Sequence, residues 1–141
     1  AMALALPRAE AAPTASGVSP FGSYYVTLPG PWHGRAQIEL DLPMEVRLHR
    51  ADPRVADCRG KVALSRGPVL YCLEAVDHPG MAIPGARLDA SAPLALGVAD
   101  DLDGCVTIAA RTPAGEALRF VPYFAWANRA RGGMQVWVDA G

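Results

Sequence analysis

The sequence predicts an all-β fold, a jelly-roll-like sandwich of two antiparallel sheets with no long helices, and three observations carry that prediction. From Phe21 onward glycine or proline interrupts the chain so often that the longest run free of both, Val69 to His78, is ten residues. That spacing excludes long helices. Between Ala36 and Leu48 apolar residues fall at every even position and polar ones at nearly every odd position, a period of two that marks a half-buried strand. Thirdly, Lys61 to Glu74 (KVALSRGPVLYCLE) reads as a strand, a Gly67-Pro68 break, and an apolar run with little polar face. That run fits either a central strand or a short buried helix, and Val69, Tyr71 and the preceding Gly-Pro favour the strand.

Residues 1–20 open with Ala1-Met2-Ala3, which reads as a cloning remnant. They continue through a stretch rich in Ala, Pro, Ser and Thr that reads as a linker or frayed terminus. The β-sandwich domain is then expected over 21–141. Ser23 to Leu28 should be its first strand, closed by Pro29-Gly30-Pro31, with Trp32-His33-Gly34 in the loop before the long strand. Pro43 cannot donate to a ladder and should mark a bend, a bulge or a change of partner. Further short strands are expected at Ala86 to Leu88, Cys105 to Ala110, Ala117 to Val121 and Met134 to Val138. Tyr123 to Asn128 reads as one more strand or an irregular crossing. The core is expected from the even-numbered face of Ala36 to Leu48 and from Val69 to Leu73, so that Leu40→Asp or Leu70→Asp should unfold the domain.

The formal net charge is -1 and charged residues make up 19% of the 141, which argues against nucleic acid as a partner. No apolar segment approaches the roughly 20 residues needed to cross a bilayer as a helix, so no membrane partner is expected. Cys58, Cys72 and Cys105 are odd in number and widely spaced, without a CxxC. With no signal peptide visible, they point to a reduced, cytoplasmic setting.

Candidate chemistry is sparse. His33, His49 and His78 stand far apart without ligand spacing. No GxSxG elbow is present, and Cys72 lies in an apolar run that would leave it inert. Glu74 ends the central strand and reads as half of a structural ion pair with an arginine sooner than as a catalytic acid. The distinctive constellation is Val121 to Arg129 (VPYFAWANR). Tyr123, Trp126, Asn128 and Arg129, joined by Trp32, have the residue types of a sugar-binding platform, since flat rings stack on sugar faces while amide and guanidinium groups take hydroxyls. They are equally ordinary core or interface material.

The blocks GSYYVTLPGPW, IELDLPMEVRLH, GKVALSRGPVLYCLE, LRFVPYFAWANR and GMQVWV, in that order, resemble the C-terminal part of glycoside hydrolase family 127, the non-reducing-end β-L-arabinofuranosidase-like proteins. The resemblance covers roughly Phe21 to Val138 and departs from the family at PGPWHGRAQ, where a Gly-Asp turn is missing. It implies a parent with an N-terminal (α/α)6 barrel that holds a cysteine nucleophile and a zinc site of cysteines and a glutamate, followed by β-sandwich domains. None of those catalytic or zinc motifs can be placed here, so the resemblance implies no catalytic residue and no cofactor in this chain. It implies an accessory domain that packs on the catalytic barrel or mediates subunit contacts in a homo-oligomer, the alternative being a carbohydrate-binding module with an aromatic platform.

Overall fold

A computed structural model describes residues 42–141, together with 14–18, 24–27, 30, 33–35 and 37. The chain divides into two compact units, Ala1–Leu42 and Pro43–Gly141. In the first, β1 (Thr14–Val18) pairs antiparallel with β2 (Tyr24–Thr27), with Thr14 opposite Thr27 and an irregularity between Ser16 and Val18. β1 falls inside the segment read from composition as linker or terminus. Ala36, Ile38 and Leu40 lie outside the described residues.

The second unit holds nine strands: β3 (Val46–Arg50), β4 (Lys61–Arg66), β5 (Val69–Glu74), β6 (Arg87–Leu88), β7 (Ala95–Ala99), β8 (Cys105–Arg111), β9 (Ala117–Pro122), β10 (Met134–Gln135) and β11 (Val138–Ala140). They form one connected sheet in the order β6-β11-β4-β5-β9-β8-β7, with β3 also on β4 and β10 also on β5. Every pairing is antiparallel except β11 with β6. The all-β prediction holds. Instead of two separate antiparallel sheets, however, the nine strands of the second unit form a single mixed sheet that curls. The apolar run is a strand, as its β-branched and aromatic residues favoured.

The β4–β5 hairpin organises the curl. At its tip Ser65 and Arg66 pair with Leu70 and Val69. Beyond that the strands part: β11 takes the freed edge of β4 at Lys61 and Val62, and β10 takes that of β5 at Leu73 and Glu74. Two wings therefore diverge from one corner and face each other. Val62, Leu64, Leu88 and Val138 from one wing share a buried cluster with Leu73, Ile108, Leu118 and Phe120 from the other. The Asp89 N–H donates to the Arg111 carbonyl at 2.9 Å, tying the β6 end of the sheet to the end of β8.

The reverse face of β5 and β9 carries a second cluster of Cys72, Val121, Ala99, Leu102 and Ala125. Short 3-10 turns at Asp100–Leu102 and Tyr123–Ala125 supply two of its members. This explains why Tyr71 to Glu74 has no wet face: Tyr71 and Leu73 point into one apolar layer and Cys72 into the other, while Glu74 is buried in an ion pair.

Three expectations are corrected. Residues 42–45 are not in a strand, and the alternating stretch pairs only from Val46 to Arg50. Pro43 removes one ladder donor just ahead of that point. Leu42, ahead of β3, is 57% exposed and Leu48 40%, whereas Val46 on the same even-numbered face packs against the core. Leu70 is 40% exposed at the hairpin tip, so Leu70→Asp is no longer expected to unfold the domain.

The hairpin turn explains Gly67. Its φ is +54°, followed by the fixed negative φ of Pro68, the pattern of a two-residue turn with glycine first. A Cβ added here would also meet Met44 Sδ at 2.5 Å, although a methionine tip can yield. Gly67→Ala is expected to lower stability by about 1–2 kcal/mol, the cost of a left-handed non-glycine residue, measurable by urea denaturation.

Candidate functional site

The Val121–Arg129 segment leaves β9, makes the turn at Tyr123–Ala125 and crosses the end of β5. Ala125 points into the second apolar cluster, and its neighbours are thereby turned outward: Tyr123 is 44% exposed, Phe124 70% and Trp126 42%. The Tyr123 and Trp126 rings stack with centroids 6.3 Å apart and planes inclined by 21°. An open hollow of about 370 Å³ is bordered by Asp101, Asp103, Cys105, Phe124, Asn128 and Arg129, and neither ring of the stack lines it. Trp32, the remaining aromatic of the predicted platform, lies outside the described residues.

Arg129 does not face this hollow as a free donor. Its Nη2 donates to Glu74 Oε2 at 2.8 Å and Asp77 Oδ2 at 2.6 Å, while Nη1 donates to Asp77 Oδ1 and Asp101 Oδ2, each at 2.6 Å. Arg119 reinforces the cluster, donating to Asp77 Oδ1 at 2.9 Å and to Asp101 Oδ1 at 2.6 Å. Two guanidinium groups thus face three carboxylates. Hydrogen bonds from Arg119 and then Arg129 hold the Asp101 carboxyl well below the usual carboxylate range. The reciprocal bond to Asp77, followed by those to Glu74 and Asp101, raises the Arg129 guanidinium further. Such charge-assisted, bidentate pairs are the strong class of hydrogen bond.

Glu74, 3% exposed, also serves the backbone, its Oε1 accepting the Ala127 N–H at 2.9 Å. Ala127 has a φ of +62°, left-handed and unusual for alanine. The carboxylate that anchors Arg129 therefore also holds the strained residue next to Trp126. Both Glu74 oxygens thus have partners within the chain, as expected of a structural ion pair.

His78 is similarly used up. Its Nε2 accepts the Arg119 backbone N–H at 3.0 Å, so Nδ1 carries the proton and donates to the Glu74 carbonyl at 2.7 Å. Neither nitrogen has a lone pair left for a metal. Cys72 is fully buried, and burial, then the neighbouring Glu74 charge, push its thiol up to about 12. Cys58 sits in the turn Ala56–Cys58 and Cys105 at the start of β8. Among the described residues no group of three His, Cys, Asp or Glu side chains is placed to hold a metal ion, and the three cysteines do not fit a shared zinc site.

The segment named from sequence thus splits in two. Tyr123, Trp126 and Asn128 are displayed, whereas Arg129 is a clamp. Sequence reasoning paired Glu74 with an unspecified arginine but did not find Asp77, His78, Asp101 and Arg119 beside it. One register relation bears on this: the pairing of β5 with β9, continued by one residue past Leu73 and Phe120, sets Glu74 opposite Arg119.

The geometry can now be set against known proteins. The model of the glycoside hydrolase family 127 C-terminal domain matches residues 46–139. The non-reducing end β-L-arabinofuranosidase of Bifidobacterium longum subsp. longum is 40% identical over a region covering 71% of this chain and 19% of that enzyme. The crystal structure of a GH127 β-L-arabinofuranosidase from Geobacillus stearothermophilus T6 superposes with a TM-score of 0.64 at 31% identity, covering 88% of this chain and 22% of that one. A second solved GH127 β-arabinofuranosidase gives a TM-score of 0.61 at 27% identity, covering 76% and 20%. The chain therefore spans only about a fifth of the relatives it matches.

Proposed function

The chain belongs to glycoside hydrolase family 127, whose C-terminal domain it carries, and from that premise we propose that it is a non-catalytic accessory domain that packs on the catalytic portion of its parent through the Tyr123–Phe124–Trp126 surface. The observation that carries the reading is the exposure of three large aromatic side chains within four residues, one of them 70% exposed, on a segment held by a buried ion cluster. Exposed aromatic patches of this kind mark contact surfaces, and aromatic residues are enriched at interfaces. A rigid mount favours association because little side-chain freedom is then lost on docking.

In this reading the parent's glycosidase chemistry, and the zinc that the family resemblance implies, belong to the catalytic portion. Cys72 is no candidate nucleophile, being fully buried with its thiol pushed up by that burial. Three free cysteines support a reducing, cytoplasmic setting for the parent. The decisive experiment mixes this chain with the separately produced catalytic portion of a family 127 enzyme and follows binding by calorimetry. Association is expected, weakened at least tenfold by Phe124→Ser and Trp126→Ala, while the chain alone leaves an arabinofuranoside reporter intact. Hydrolysis by the chain alone, or binding indifferent to both substitutions, would overturn the proposal.

A second reading, a carbohydrate-binding module, draws on the exposed Tyr123–Trp126 stack and on the hollow lined by Phe124, Asn128 and two aspartates. Its signature would be saturable amide shifts on titration with arabinose oligosaccharides, abolished in Trp126→Ala. Arg129→Lys should leave such binding largely unchanged, because in the unaltered chain the guanidinium is taken up by Glu74, Asp77 and Asp101.

A further inference from the structure

We propose that an open hollow of about 560 Å³ on the reverse face of β4 is a binding site for a free aromatic carboxylate, with Val55, Ala63, Leu70 and Trp137 against the ring and Arg50 against the charge. Ala63 and Leu70 alternate along their strands with Val62, Leu64 and Tyr71, which belong to the main core, so their side chains leave the sheet on its other face. Val55 comes from the loop after β3, and Trp137 from the link between β10 and β11. The hollow is thus built from four separate parts of the second unit.

Its lining is apolar and open. Ala63 is 1% exposed and keeps the floor low, while Val55 at 47% and Leu70 at 40% stand above it in water. Two large aliphatic side chains and an indole around one concavity have the composition of a ligand pocket, and its volume lies within the usual range of about 300–1,000 Å³. A flat ring suits this lining, because it can lie over a small residue and stack against the indole.

The walls are preformed. In the loop after β3 the Val55 N–H donates to the Asp52 carbonyl at 2.8 Å and the Cys58 N–H to the Val55 carbonyl at 3.1 Å. Arg59 Nε closes the loop from below, donating to the Pro53 carbonyl at 3.1 Å. On the opposite side His49 Nε2 and Ser65 Oγ lie 2.7 Å apart, which fixes the imidazole where it borders the hollow. Little ordering is left for a ligand to impose.

Charge selects the anion. Asp52 is the carboxylate at the hollow, and Arg54 engages it with side-chain hydrogen bonds of 3.0 and 2.8 Å. No ion pair among the described residues engages Arg50, which borders the same hollow. Over 45–61, the stretch that supplies this rim, five basic side chains stand against three acidic ones. A carboxylate on an apolar ring therefore meets an available guanidinium, whereas a cation meets a carboxylate already paired. This inference does not rest on the Tyr123–Trp126 surface and survives or fails independently of it.

The test titrates 2-naphthoate into the 141-residue chain and follows NMR shifts, with 2-naphthylmethylammonium as a cation of like size. Naphthoate is expected to shift Val55, Leu70 and the Trp137 indole N–H saturably, with a Kd of about 1 mM or tighter, as ordinary ligand efficiency allows a probe of this size. The ammonium probe should bind about fivefold more weakly, the scale of an exposed charge contact. Leu70→Asp should weaken naphthoate at least about tenfold by replacing apolar lining with a like charge. Arg50→Glu should abolish the preference for the anion, and both variants should keep the far-UV spectrum, since both positions are exposed. Absence of shifts at Val55, Leu70 and Trp137 up to about 10 mM, equal binding of the two probes, or binding indifferent to Leu70→Asp would overturn the proposal. So would displacement of naphthoate by the catalytic portion of a family 127 enzyme, which would make the hollow a docking face of the parent.

Discussion

Arg129→Ala should destabilise the domain by about 3–5 kcal/mol, the range for removing one partner of a buried ion pair, read as a fall in urea midpoint without loss of cooperativity. The size follows from what is left behind. The Glu74 and Asp77 side chains are 3% and 6% exposed, and the Arg129 side chain is 14% exposed. Without the guanidinium, two carboxylates would stand close together with Arg119 alone to compensate, and Arg119 reaches Asp77 and Asp101 but makes no bond to Glu74. Arg129→Lys should restore only part of the loss, because an ammonium is a point charge and cannot span three carboxylates with a planar fork.

The same cluster sets a pH dependence. Asp101 has its carboxyl depressed in the folded state by Arg119 and Arg129. An unfolded aspartate titrates near about 3.9, so the unfolded chain takes up this proton first as pH falls. The stabilising contribution is therefore complete above roughly pH 5 and is lost progressively below about 4, towards the folded value. Thermal melts from neutral pH downward should show a steepening loss below that point. Asp101→Asn should flatten it, and a slope unchanged in that variant would remove Asp101 from the account.

What the sequence made legible were features governed by local rules. The all-β class followed from the density of glycine and proline, and the β4–β5 hairpin from Gly67-Pro68 between two apolar runs. The family followed from the blocks around GKVALSRGPVLYCLE and PYFAWANR. What escaped depends on distance in sequence. Arg129 reaches Glu74 across 55 residues and Asp101 across 28, and no spacing rule connects them. Arg129, whose residue type suits sugar hydroxyls, is instead consumed by carboxylates that only the curl of the sheet brings near.

β7 was missed for a different reason. Small residues and Gly97 dilute the β signal, and the alternation of Leu96 with Val98 is only two positions deep. The turn after it passes through Asp103 and Gly104, which take positive φ at 50° and 75°, a conformation those residue types tolerate best. The described part of the even-numbered face of Ala36 to Leu48 shows the opposite case, with Val46 against the core and Leu42 and Leu48 exposed. Its period of two is clear, yet periodicity names only which residues share a face. Whether that face is covered depends on what packs against it, which the pattern does not encode.

Phe120→Ala should cost about 3–5 kcal/mol, the range for truncating a buried aromatic residue. Phe120 is fully buried on β9, where it stands opposite Leu73 on one side and Ile108 on the other, both also fully buried. It belongs to the cluster that joins the two wings of the sheet, whose other wing contributes Val62, Leu64, Leu88 and Val138. Truncation therefore removes contacts between wings as well as within one, and a close-packed interior held by strand ladders on both sides can collapse only partly around the vacancy. The control is Leu70→Asp at the exposed hairpin tip, where a charge can reach water. If burial decides, Phe120→Ala should shift the denaturation midpoint several times further than Leu70→Asp. Equal shifts would mean that the stability of this domain resides in the hairpin tip, and the assignment of Phe120 as the bridge between the wings would fall.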